Sequence, residues 1–304
     1  MTQHTPLTTT GITRYNVSRY GHASHRLSPS TAGKASGQAS RTLERGLRIL
    51  DLLKDRGPST AAEVAQTLNL DRSTAHRLLQ TLVKTLFVER DLEGRKYRLA
   101  AKLVEHGRRV TADMELYRVA LPHLHRLRDV AREGTNLGVL HGGAIVWVAV
   151  LEGGRPLRMA TPTGVAAGRL HSTASGKAIL AFLPDEEAEG LLSDLYLVAS
   201  TGTTIVTVEA LREELRRTRD RGYAVDDMEN VPGLRCIAVP VFGPSERVLG
   251  AVSVSAPALR FTEEVIRQLV PVIIEASLDI SRSMGADERT LLALVSAGTA
   301  KLAG

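Results

Sequence analysis

The sequence predicts an α+β protein: a small winged helix-turn-helix head, a linker helix, and a larger body of helices segregated on an antiparallel sheet. Three observations lead there. Residues 60–82, TAAEVAQTLNLDRSTAHRLLQTL, have the spacing of two short helices around a tight turn. The segment behind them, FVERDLEGRKYRL, alternates around Glu93 and Gly94 as a β-hairpin does. Further along, apolar runs joined by glycine turn signals are followed by helical stretches, the pattern of hairpin-linked strands with helices set apart.

The head builds in order. Thr42–Lys54 is amphipathic, with Leu43, Leu47, Leu50 and Leu53 on one side, and is expected to close a three-helix core. Thr60 followed three residues later by Glu63 lets each side chain satisfy a backbone N–H at a helix start. Ala61, Val64, Ala65 and Leu68 then supply an apolar face. Asn69, Leu70 and Asp71 make the turn, and Asp71 can cap a second helix whose Ala75, Leu78, Leu79 and Leu82 face inward.

The rest of that second helix carries Arg72, Ser73, Thr74, His76, Arg77 and Gln80 near its N-terminus. In helix-turn-helix proteins this is the part that enters the major groove, and Arg, Ser and Gln can read base edges there. A solvated face on an ordinary helical pair would also show a cap and a polar stripe. The flanks favour the winged helix, because a helix precedes the pair and a basic hairpin follows it, with Arg95, Lys96 and Arg98 placed to meet phosphate or the minor groove. Double-stranded DNA is the expected partner.

Charge agrees. Residues 1–40 hold four Lys or Arg and no Asp or Glu, and residues 41–110 hold fifteen basic against nine acidic; since the chain nets +6, residues 111–304 net −4. Such asymmetry suggests a polyanion-binding head on a body that need not touch DNA. At 304 residues and 43% hydrophobic content the chain suits about two soluble domains, and no apolar run reaches a membrane span. A single cysteine excludes an internal disulfide and points to a reducing cytoplasm. Residues 1–40, rich in Ser, Thr, Gly and His, read as a disordered basic arm or the result of a misplaced start codon, in preference to a transit peptide. The expected layout is then 41–100 for the winged head, 101–116 for a linker helix, 117–285 for the body and 286–304 for a tail that either continues a helix or frays.

In the body, a linker helix from about Leu99 to Ala112 gives way to a helix reaching Arg132, with Pro122 marking a fresh helix start. TNLGVLH and AIVWVAVLE flank Gly142-Gly143, a hairpin signal. Helices are expected over Ala174–Phe182 and Val208–Arg221, strands near Arg235–Phe242 and Val248–Ser255, and a last helix from Thr262 to about Met284.

Four features could carry chemistry. HSTASGKAILAF places small residues at a helix start, so that the N–H groups near Ala174 and Ser175 can approach a carboxylate or phosphate; a well-packed helix start would use the same residues. It is not a nucleotide-binding P-loop, because His171 and Ala178 stand where that motif needs Gly and Ser or Thr. GYAVDDMENVPGLRCIAVPVF sets Asp226 and Asp227 shortly before Cys236, where the plainer readings are a turn pair and a small buried hydrophobe. In AVSVS, Ser253 and Ser255 share one strand face, which leaves hydrogen-bond capacity for a ligand. His141, His171 and Cys236 could in principle form a thiol site, but nothing local pairs them, and no motif calls for a metal or cofactor. The rivals to a specific regulator are a thiol-based enzyme or redox sensor using Cys236 and a nonspecific nucleoid protein.

Taken together, the winged helix, HSTASGKAILA, GYAVDDMENVPGLRCIAVPVF and GAVSVSAP resemble the IclR family of bacterial transcriptional regulators over about residues 41–284. The resemblance implies a GAF-like effector-binding body, dimers that commonly pair into tetramers, no enzymatic activity, and most often repression. It also implies that a small carboxylate is held by Ala174, Ser175, Asp226, Cys236, Ser253 and Ser255. Two departures stand out: Met228 follows the Asp pair where an acid is usual, and Arg169-Leu170-His171 replaces a PLH-like triplet.

Overall fold

A computed structural model describes the backbone of residues 40–155, 164–166 and 170–300. Residues 1–39 of the arm expected over 1–40, and Arg169, lie outside the described residues, while Ser40 is the cap of the first helix. The described chain forms two compact units that divide between Met114 and Glu115.

The first unit holds α1 (Arg41–Arg56), α2 (Ala61–Thr67) and α3 (Arg72–Lys84), followed by the hairpin of β1 (Val88–Arg90) and β2 (Tyr97–Leu99) and by α4 (Lys102–Asp113). Both expected caps form. Thr60 Oγ1 accepts from Glu63 N while Glu63 Oε2 accepts from Thr60 N, and Asp71 Oδ1 accepts from Thr74 N at 2.7 Å. Asn69 takes a left-handed φ of 51° to turn α2 into α3, a conformation that asparagine tolerates. The core joins Ile49, Leu52 and Leu53 to Val64, Ala65, Ala75, Leu78, Leu79, Val88 and Tyr97. Each large side chain there contributes about 1.5–3 kcal/mol of burial.

One expectation for α1 fails. Leu43 and Leu47 are 63% and 53% exposed, and Ile49 and Leu52 take the inward positions instead. The i+4 ladder of leucines starts before the helix reaches the core, so its first two members have nothing to pack on within the unit. In the hairpin Glu89 pairs with Arg98 and Arg90 with Tyr97, and Ser59 joins as a third bridge through Tyr97. No side chain of α4 is buried, yet the helix is tied to the head. His106 stacks on Phe87 at 5.3 Å, Lys102 lies 4.5 Å from the same ring, and Lys102 Nζ donates to Thr85 O at the end of α3.

The second unit opens with α5 (Glu115–Ala131), which runs through Pro122. The expected break falls earlier, at Met114, whose ψ of 107° ends α4. Proline costs the helix one N–H bond but does not stop it where the helix packs, and Ala120, Leu124 and Leu127 bury on both sides of Pro122. Next come β3 (Gly134–His141), β4 (Ala144–Leu151), β5 (Gly164–Ala166), α6 (Ala174–Phe182), α7 (Asp185–Asp194), α8 (Val208–Arg221), β6 (Ala224–Asp227), β7 (Leu234–Phe242), β8 (Val248–Pro257), α9 (Glu263–Ser283) and α10 (Glu288–Ala300). Gly142 and Gly143 both have positive φ, 57° and 75°, as a two-residue hairpin turn demands.

The six strands form one antiparallel sheet in the order β5-β4-β3-β8-β7-β6. Helix α6 covers one face, where Ala174, Ala178 and Ile179 pack with Trp147, Cys236, Ala238 and Ala251. Helices α5 and α9 cover the other, where Thr135 Oγ1 donates to Leu124 O and Ser277 Oγ to Pro240 O. Strand alternation therefore sorts Asn136, Cys236 and Ser253 onto the α6 side.

Candidate functional site

On the head, Arg72, Ser73, His76 and Arg77 project from the first two turns of α3 into solvent, while Thr74 and Gln80 are half-buried. Not all of this surface is uncommitted. Ser73 Oγ donates to Asp71 Oδ1 at 2.7 Å, and these hydrogen bonds from Ser73 and Thr74 hold the Asp71 carboxyl well below the usual range. Gln80 Nε2 donates to Tyr97 Oη at 3.3 Å, as Arg90 Nη2 does at 3.1 Å, so Gln80 also braces α3 against the wing. At the wing tip Gly94 has φ of +70°, and Asp91 Oδ1 accepts from the N–H groups of Arg95 and Lys96, leaving both cationic side chains exposed. Arg98 is paired across the hairpin with Glu89 at 2.8 Å.

In the body, the register lines up polar residues across four strands. Asp226 pairs with Cys236, Cys236 with Ser255, and Ser255 with Gly134; the next row runs Ala224, Ala238, Ser253, Asn136. Asn136 is buried, and its Nδ2 lies 3.3 Å from both Ser253 Oγ and Ser255 Oγ. Gly138 continues this face, and the ring of Trp147 lies so close over it that a Cβ there would meet Cζ3 at 3.0 Å.

Above the sheet, α6 starts on Thr173, whose Oγ1 accepts from Gly176 N at 3.1 Å, and the helix ladder begins with Lys177 N to Thr173 O. The N–H groups of Ala174 and Ser175 precede both bonds and so lie at the positive end of a buried helix. Gly176 is required here, because a Cβ would fall 2.4 Å from Leu170 O.

Asp226 is 1% exposed. Its Oδ1 accepts from Glu229 N at 2.8 Å and Asn230 N at 3.3 Å, while Oδ2, like Ser175 Oγ, has no hydrogen-bond partner among the described residues. Burial, and next the nearby Glu229 carboxyl, push Asp226 up to about 7. The turn that follows it puts Met228 at φ 59°.

Two polar groups of this site escape the sequence reading. Lys177 is fully buried and ion-paired with Glu229, which is itself buried and raised by desolvation. Asn136 lies in an apolar strand. The signals available were a lysine inside a helix otherwise built of small and apolar residues and an asparagine opposite two serines, and both need the tertiary pairing to be read.

The histidines and the cysteine do not converge on a thiol site. His141 sits exposed at the hairpin turn, and His171 is buried with Nε2 3.1 Å from Val198 O. Burial pushes the Cys236 thiol up, and the Asp226 charge adds to it, the opposite of what a nucleophile or redox sensor needs. Among the described residues no group of three His, Cys, Asp or Glu could hold a metal, and no helix is long and apolar enough to cross a membrane.

Known proteins place these features in a family. Residues 42–92 match the IclR helix-turn-helix domain and residues 108–282 match the bacterial transcriptional regulator IclR C-terminal domain. The chain is 34% identical to the HTH-type transcriptional regulator BhcR of Paracoccus denitrificans, over 80% of this chain and 87% of that protein. It is 35% identical to the HTH-type transcriptional regulator KdgR of Escherichia coli, over 78% and 90%. A solved IclR homologue from Microbacterium hydrocarbonoxydans, complexed with 4-hydroxybenzoate, superposes with a TM-score of 0.68 at 29% identity, covering 80% of this chain and 98% of that one. The family model for the body alone spans more than half the chain, and with the winged head matched as well, the protein belongs to the IclR family of bacterial transcriptional regulators, which are not enzymes.

Proposed function

We propose that the chain is a ligand-responsive regulator, acting in the cytoplasm, that binds a pseudo-palindromic operator as a dimer or tetramer and senses a small carboxylate. The layout is a winged head at 41–100, a linker helix at 101–116, an effector domain at 117–285 and a tail at 286–304. Arg72, Ser73, Thr74, His76, Arg77 and Gln80 meet the major groove, and Arg95, Lys96 and Arg98 meet phosphate or the minor groove. Exposed Leu43 and Leu47 on α1 and Val104 and Val110 on α4 support a partner copy. Repression is the expected mode of action, since the related AllR of Salmonella typhi, 31% identical to this chain, is a transcriptional repressor.

The observation that carries the sensing half is the buried polar row under the start of α6. Ala174 and Ser175 offer backbone N–H groups, Asp226 offers an unpartnered oxygen, and Cys236, Ser253 and Ser255 line the sheet between them. One end therefore suits an anion and the sheet side suits a polar or aromatic body, the kind of ligand that the Microbacterium homologue holds. Ligand occupancy then biases how the linker helices set the heads, with couplings of about 1–3 kcal/mol being typical.

The test is binding of the purified protein to its own upstream DNA at about 150 mM salt with excess random competitor. A discrete, competitor-resistant complex, released or tightened by 4-hydroxybenzoate or another small carboxylic acid, is the expected result. Equal binding to random DNA, with and without every acid tried, would instead support a nonspecific nucleoid role.

A further inference from the structure

Beneath the proposed effector site lies a buried charge cluster that ligand contact does not explain. Lys177, from α6, is ion-paired with Glu229 and lies 3.9 Å from Glu214 on α8. Glu214 is held at 2.6 Å by Arg221 at the end of the same helix. Glu229 follows Asp226 by one turn of chain and gives its N–H to Asp226 Oδ1. On the outer side of β6, Asp227 is matched by Arg235 of β7, and Cys236 of β7 faces Asp226 across the register.

Two cations, Lys177 and Arg221, pair with Glu214 and Glu229, while the third carboxyl, Asp226, accepts from backbone N–H groups and feels the Lys177 charge without an ion pair to it. Arg221 closes with Glu214 and Lys177 with Glu229, so Asp226 is the one carboxyl left without a cation of its own. Ionising it would add a third negative charge beside Glu229 in a buried site, a cost that the Lys177 charge and two N–H bonds offset only in part.

We propose that Lys177 and Glu229 are positioning residues for Asp226: by closing a buried pair of their own, they hold Asp226 as a neutral acid whose Oδ2 donates a hydrogen bond to the bound ligand. A carboxylate ligand is then received by donors at both ends of the site, the α6 N–H groups and the Asp226 hydroxyl. An ionised Asp226 would repel the same ligand. The proposal rests on the effector-site reading for its purpose, but the device itself can be tested without any ligand.

Cys236 is the one cysteine of the chain, so its S–H stretching band reports on a single thiol beside Asp226. Infrared spectra of the ligand-free full chain are recorded across pH 5–9. The wild type should show one band shift with a midpoint near 7, where Asp226 is pushed, and Asp226→Asn should show none. Glu229→Gln removes the nearer carboxylate of Lys177 and the negative charge beside Asp226, so the midpoint should fall by at least ~1 pH unit. Lys177→Met should raise it, and Lys177→Met/Glu229→Gln, which removes the pair together, keeps the test available if the single methionine variant fails to fold.

Opposite shifts in the two single variants, or a double variant that returns toward wild type, are expected; a purely structural pair would not produce them. A wild-type midpoint unmoved by Glu229→Gln would overturn the proposal, since the shared proton would then not sit on Asp226 under control of this pair. Failure of every carboxylic acid to bind, with the band shifts intact, would count against the effector reading alone.

Discussion

Helices α3 and α6 begin alike and end up in different chemistry. Each starts on a side-chain cap, Asp71 or Thr173, and each directs its first N–H groups at whatever lies in front. At α3 the front is water and the surrounding side chains are Arg72, His76 and Arg77; at α6 nearly every residue is buried and the first turn is Ala, Ser, Gly. In the first setting the helix end is screened, so long cations must do the reaching, and the target is a large polyanion. In the second the same backbone dipole acts undiluted, so a small anion and a single carboxyl oxygen suffice. On the proposed function, one local device serves two recognition tasks, and burial decides which.

The largest test of that contrast is steric. Gly176→Ala puts a methyl group 2.4 Å from Leu170 O, where backbone must move, whereas Gly46→Ala on α1 meets nothing within 4 Å. The first substitution should destabilise the body by roughly 2–4 kcal/mol, and the second should stabilise the head by up to about 1 kcal/mol. Denaturant unfolding followed separately in the two units gives both values. Equal small effects would mean that α6 is not wedged against Leu170 as described.

Next in size is a pH effect confined to the buried end. Asp226 has its carboxyl raised to about 7 in the folded protein, above its ordinary value near 3.8. The folded state therefore binds the proton more tightly than the unfolded chain. The cost of burying an ionised Asp226 is complete above about pH 7, shrinks as pH falls, and is gone below the ordinary carboxylate range, so this group makes the body more stable as pH drops from 7 toward 4. The swing amounts to a few kcal/mol, and Glu229, raised in the same direction, adds to it. Asp226→Asn should flatten the slope of unfolding free energy between pH 5 and 7, and a slope as steep as the wild type's would remove Asp226 from the account.

The third test belongs to the exposed end. Arg77→Ala should weaken operator binding ~10- to 100-fold and leave carboxylate binding unchanged. Arg98→Ala should cost less, because Glu89 already occupies that guanidinium at 2.8 Å and must be exchanged for phosphate. Titrations of each variant with operator DNA at fixed salt order the two effects. If Arg98→Ala proves the more damaging, the wing contributes more than the helix face.

What the sequence disclosed follows the same division between local and tertiary causes. Caps, the glycine hairpin turn and the bounds of α6 and α8 rest on neighbours within four residues, and the structure reproduces them. Strand alternation by itself puts Ser253 and Ser255 on one face, whereas setting Asp226 and Cys236 beside them took the family resemblance. Pro122 misled because packing on both sides outweighs one lost N–H bond, and the strand at β6 was too short to show a period. Helix α7 has no place in the sequence expectations, although it follows Pro184 and opens with three acidic residues, a dipole-matched start that Glu209 also gives α8. Leu43 and Leu47 looked like core because periodicity records an apolar face without saying what covers it. The pairing of Lys177 with Glu229, fifty-two residues apart, leaves no trace in local spacing.

The smallest effect separates the two caps directly. Asp71 is exposed, and its carboxylate is stabilised by Ser73 and Thr74, so replacing it with Ala frays the first turn of α3 without opening a cavity. The head should lose a few degrees of thermal stability, and DNA affinity should fall only a few-fold. Asp71→Asn keeps the acceptor for Thr74 N and should restore most of both. The corresponding change at α6, Thr173→Ala, removes the acceptor for Gly176 N inside the core, where water cannot replace it, so it should cost the body more than Asp71→Ala costs the head. Melting each variant settles the order: if the exposed cap proves the more costly, then burial is not what distinguishes the two helix starts, and the difference must be sought in the side chains around them.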